Sequence, residues 1–160
     1  MNGRIQRLRA EIASDRDALA GRIRELSAID LARPDASEGD LARAALALHH
    51  AYGAVESALT RIARTVEGSV PDGAEWHQAL LGSMTLDLEG VRPPVLGAEA
   101  AVLLRRLLAF RHFLRHAYTV PLERERLQSL KEDAMALEGA LADDLDEYDG
   151  FLNALAGDEG

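Results

Sequence analysis

Apolar residues recur along this chain at intervals of three and four, the repeat of one face of an α-helix. Over residues 4–31 they are Ile5, Leu8, Ile12, Leu19, Ile23 and Leu26. This predicts a first helix, stopped by Pro34 and the Asp35-Ala36-Ser37 cluster. Leu41, Ala45, Leu48, Tyr52, Val55, Leu59 and Ile62 form a second stripe over 39–66, with Ser37 or Asp40 placed to cap it. The glycines and proline of 68–73 read as a loop. A short third helix follows over 74–88, with Trp76, Leu80, Leu81 and Met84 turned inward. Residues 91–95 contain Pro93-Pro94 and read as an extended linker, because proline disfavours helix in the residue before it. A fourth helix is expected over 97–118, ending before Pro121, and a fifth over 122–155 with weak points at Gly139 and Gly150. No segment alternates with a period of two. The expected fold is all-α, an up-and-down bundle of four to five helices forming one domain over residues 1–160.

Composition supports that expectation. Of 160 residues 48% are apolar, mostly Leu and Ala, and only 4% are aromatic, which suits helix-on-helix packing better than a sheet. The absence of cysteine removes disulfides, thiolate metal sites and cysteine nucleophiles. The N-terminal run is charged and amphipathic, and no stretch approaches the ~18 apolar residues of a membrane span. A cytoplasmic protein without membrane attachment, cofactor or metal is expected.

The net charge of −9 is unevenly placed. Residues 123–160 hold 12 acidic and 3 basic side chains, whereas residues 1–122 hold 15 of each. The acidity therefore belongs to the last helix, and bulk charge does not exclude a nucleic-acid partner, because local potential governs phosphate binding. Residues 100–122 carry four arginines and two histidines and no acid. At about 100° per residue, Arg111, His112, Arg115, His116 and Tyr118 fall within an arc of about 160°, with Phe110, Phe113, Leu114 and Ala117 opposite. Arginine offers planar donors matched to phosphate oxygens. A histidine neutral near pH 7 takes or returns a proton. Those are the capacities that RNA cleavage without a metal requires: a base for the ribose 2′-hydroxyl and a cation for the phosphorane.

The spacing of Arg111 and His116, with four residues between them and His112 in the polar slot, resembles the motif of the HEPN ribonuclease superfamily. With Tyr118 it is similar to the Arg-x4-His-x-Tyr form of HepT-like toxins from toxin–antitoxin pairs. The segment 48–56, with Tyr52 and Glu56, resembles the second-helix signature of that family, and 71–81 is similar to a loop-and-helix of one HepT-like branch. The resemblance covers roughly residues 37–120. It implies a HEPN-like helical bundle, a homodimer with facing motifs, an RNA substrate, and a minimal nucleotidyltransferase antitoxin that in some systems adenylylates the motif tyrosine, in a type VII-like arrangement. It implies Arg111, His116 and His112 as catalytic residues, Arg115 and Arg105 as substrate-binding cations, and Tyr118 as the modification site. The long first helix and the acidic fifth depart from short family members.

Plainer readings stand beside these. The cationic face is otherwise a solvated surface whose arginines favour the C-terminal end of the helix dipole. The same residues would also serve a non-catalytic nucleotide- or partner-binding HEPN module, and the acidic helix a purely structural interaction protein. His49 and His50 diverge by about 100°, which suits one core-facing and one surface residue better than a metal site. Glu56 reads as a structural partner for an arginine, Trp76-His77 as an anchor for the short helix, and 143–147 as a solvated face or a docking strip for a basic partner.

Overall fold

A computed structural model describes residues 2–116 and 119–157. Five α-helices follow in order: α1 Asn2–Ser27, α2 Glu38–Ile62, α3 Trp76–Met84, α4 Ala98–His116 and α5 Arg124–Gly157. A π-helical turn, Ala63–Glu67, continues α2. The predicted stripe of α1 is buried in full, as are Ala45, Leu48, Tyr52, Val55, Leu59 and Ile62 of α2 and Leu80, Leu81 and Met84 of α3. Leu41 and Trp76 are partly buried against the same core.

Side-chain pairs fix the directions of the helices. Arg61 near the end of α2 reaches Glu11 and Asp15 of α1, so these two run antiparallel. Arg9 and Arg16 of α1 reach Asp149 and Asp146 of α5, while Lys131 donates to the Ile29 carbonyl. Arg106 of α4 pairs with Asp133 of α5, and the backbone N–H of Gly97 donates to Asp144. α1, α2, α4 and α5 therefore run up, down, up and down, and α3 lies on the connection between α2 and α4.

Several predicted boundaries are corrected. Ser37 and Asp40 both cap α2, each side chain bonding the other's backbone N–H in a capping box. α1 stops at Ser27 rather than residue 31, although Ile29 and Leu31 beyond it stay buried as loop residues. α3 occupies only nine residues of the expected 74–88. The Thr85 hydroxyl bonds back to the Gly82 carbonyl, and Gly90, at φ 77°, turns the chain. The expected extended linker instead contains a tight turn, with Leu88 and Arg92 exchanging backbone hydrogen bonds. α5 continues unbroken through Gly139 and Gly150.

Arg92 was placed in that linker, yet its side chain is fully enclosed. It pairs with Glu67 of the π-helical turn at 2.6 Å and donates to the carbonyls of Ser83, Leu86 and Pro93. One guanidinium thus ties the end of the α2 extension to the end of α3 and the following turn. Such a group is tolerated inside only because its charge and nearly all its donors are matched.

Candidate functional site

The site is built where α2, α3 and α4 meet. Tyr52 and Glu56 are one helical turn apart on α2, and both are buried. Burial is the main reason the Tyr52 phenol ionises only well above its ordinary range; the neighbouring Glu56 adds to the effect. The phenol therefore stays protonated and donates to Glu56 Oε2 at 2.7 Å. His77 of α3 meets the same oxygen through Nδ1 at 2.6 Å. The other carboxylate oxygen, Oε1, accepts from Arg111 at 3.3 Å. The Arg111 guanidinium also lies 5.6 Å from the centre of the Tyr52 ring, within reach of a cation–π attraction.

Arg111 does not stand on an open cationic face as the wheel predicted. Its side chain is 20% exposed and its charge faces Glu56. Residues 100–122 contain no acid, but the fold supplies one from α2. Glu56 is the structural partner for an arginine that its position suggested. His77 does anchor α3, through its ring nitrogen on Glu56 and its ring 3.8 Å from that of Trp76. What sequence reasoning missed is that these separate assignments describe one network.

His112, Arg115 and His116 are exposed, as expected, at the C-terminal end of α4. The His112 and His116 rings stand edge-on with centroids 4.5 Å apart. Adjacent imidazoles at a helix C-terminus sit at the end of the dipole that favours positive charge. The opposite face of this helix end is held by Phe110, which is buried, and Phe113, with the Arg126 guanidinium 4.4 Å from the Phe113 ring centre. Arg105 is exposed on α4, about two turns before Arg111. Tyr118 lies outside the described residues.

His49 and His50 depart from the expected split between core and surface. Both are half-buried, with rings 5.6 Å apart. Both line a groove of about 290 Å³ together with Ala18 and Arg22 of α1, Gly53 and Ala54 of α2, and Arg111 of α4. Adjacent positions on α2 straddle its edge, and α1 and α4 enclose both. Burial and the nearby charges of Arg111, His50 and Arg115 hold His49 below its ordinary imidazole value, so it favours the neutral form. No group of three or more potential metal ligands occurs among the described residues.

The acidic run on α5 is partly committed within the molecule. Asp144 receives the Gly97 N–H at the start of α4, where a carboxylate also suits the helix dipole, and Asp146 pairs with Arg16. Among the described residues, no helix is long and apolar enough to cross a membrane. No curated protein and no solved structure matches the chain. The family model described as HepT-like protein matches residues 43–152, which span most of α2, the Glu56 network, the whole of α4 and most of α5. With the helical bundle and this match together, the chain belongs to the HepT-like family of the HEPN superfamily.

Proposed function

We propose that this HepT-like protein is an endoribonuclease toxin that cleaves RNA without a metal cofactor, through Arg111, His112 and His116. The observation that carries this reading is the pairing of two exposed imidazoles, 4.5 Å apart, with an arginine of the same helix end that Glu56 holds in place. In the proposed reaction one imidazole takes the proton of the ribose 2′-hydroxyl. The 2′-oxygen bonds to phosphorus, the bond from phosphorus to the 5′-oxygen breaks, and the second imidazole, protonated, returns a proton to that leaving oxygen. Arg111 and Arg115 stabilise the charge that builds on the phosphorane, and Arg105 holds the strand farther along α4. The products are a 2′,3′-cyclic phosphate and a 5′-hydroxyl.

A homodimer with facing α4 ends would join two such faces into one cleft. The family reading supplies the control: a nucleotidyltransferase antitoxin adenylylates Tyr118, and the added AMP opposes RNA by charge and bulk. The test is RNA cleavage in EDTA by the parent, Arg111→Ala and His116→Ala. Each variant is expected to lose about 10²–10⁴-fold in rate. Equal rates for all three would end the proposal.

A non-catalytic nucleotide- or partner-binding HEPN module is the second reading, in which the same arginines hold a phosphate and the histidines do no chemistry. It requires oligonucleotide binding with no cleavage at any protein concentration.

A further inference from the structure

Of the groove that Arg111 lines, the reaction above uses only Arg111 itself. Its walls are Arg22 on α1, His49 and His50 on α2, and Arg111 on α4, and Gly53 lies on its floor. Three nitrogens here, His49 Nδ1, His50 Nδ1 and Arg111 Nε, are buried without a hydrogen-bond partner among the described residues. Among the described residues no group bonds Nδ1 of either imidazole to fix its tautomer, so the outer nitrogen of each ring can donate or accept. The acids that face the groove residues are already engaged: Glu25 pairs with Arg22, and Glu56 with Arg111. Arg115 adds a positive charge that His49 feels.

Gly53 has no internal explanation. Glycine inside a helix costs about 1 kcal/mol relative to alanine. Its backbone is helical, it is not among the positive-φ glycines, and a Cβ built there would meet no atom within 4 Å. Neither turn geometry nor close packing calls for glycine at this point, and the space in front of it opens into the groove.

We propose that this groove is a second phosphate subsite, which takes a phosphodiester of single-stranded RNA adjacent to the one presented to His112 and His116. The proposal rests on the ribonuclease reading for the identity of the strand. Arg22 and Arg111, each already sharing its charge with one acid, offer their remaining donors, the two imidazoles supply hydrogen bonds, and Gly53 lets the sugar-phosphate backbone approach α2 closely. Because Arg111 reaches both the groove and the α4 face, it lies between the two phosphates.

The test uses a fluorescent 2′-O-methyl oligoribonucleotide, which binds without being cleaved, so its outcome is separate from whether the protein cuts RNA. Anisotropy is measured over a range of salt for the parent, Gly53→Leu and Arg22→Gln. Gly53→Leu adds a side chain to the groove lining at a position where its Cβ meets no atom within 4 Å. It is expected to weaken binding at least about tenfold, the loss of a good charge-assisted contact, with a thermal midpoint no lower than the parent's. Arg22→Gln is expected to reduce the slope of log affinity against log salt by about 0.7, one phosphate contact on a single strand. Parent-like binding and salt slope in both groove variants would overturn the proposal, as would a parent that does not bind the oligonucleotide. If binding behaves as expected but natural RNA is not cut, the subsite stands and the nuclease reading falls.

Discussion

Glu56 is the residue on which the site turns. It accepts from Tyr52 and Arg111 and meets His77, so one carboxylate positions groups from three helices. Replacing it with glutamine keeps the shape and removes the charge that balances Arg111. Glu56→Gln is expected to cost about 1–3 kcal/mol in urea unfolding, the range for a buried hydrogen bond to a charged group. It is also expected to lower the rate of RNA cleavage, because Arg111 loses the partner that orients it. A parent-like urea midpoint would show that the network contributes nothing to stability. Two things were legible from the chain: that Arg111, His112 and His116 lie together near the end of one helix, and that Glu56 partners an arginine. Which arginine it would meet was not, since that depends on how α2 crosses α4, fifty-five positions apart in sequence. His49 and His50 were misread for a related reason. Their divergence around α2 was correct, but the second flanking helix that buries both is set by tertiary packing.

At the level of elements, apolar positions located α1, α2 and α3, prolines bounded α4 and α5, and the expected cap at Ser37 or Asp40 located the start of α2 closely. The ends that failed are those decided by distant partners. The loop after α3 looked extended from its prolines, yet Arg92 folds it onto the π-helical turn. Nothing in the local sequence distinguishes this arginine from a solvated one. Gly68, at φ 82°, then ends the α2 extension in a conformation that suits glycine. Arg92→Ala is expected to cost about 3–5 kcal/mol, because it leaves Glu67 without its counter-charge and strands several carbonyls. Chemical denaturation measures it. A cost below about 1 kcal/mol, that of an exposed pair, would show that the buried cluster is not what holds this turn.

For the whole molecule, the acidic C-terminal helix and the basic motif are separate regions joined by antiparallel packing, and pH acts on each differently. His49 and Asp149 both titrate below their ordinary values in the folded protein, His49 mainly through burial and Asp149 mainly through its hydrogen bond to Arg9. The unfolded chain therefore binds protons first in both cases, and stability falls as pH falls. The His49 contribution is present above its ordinary value of 6.5 and is lost as pH drops through the lower folded value; the Asp149 contribution is lost only below 3.8. Urea midpoints should decline from pH 7.5 to pH 5 in the parent and decline less in His49→Gln. Parallel curves would remove His49 as the source. The Arg92 cluster has a consequence in time as well as in energy. Its partners all lie between Glu67 and Pro93, so this stretch should open and close as one cooperative segment. His77 rides on it and touches Glu56. Each opening event would release His77 from the carboxylate that also steadies Arg111, so amide exchange in α3 would report how often the site is momentarily unset.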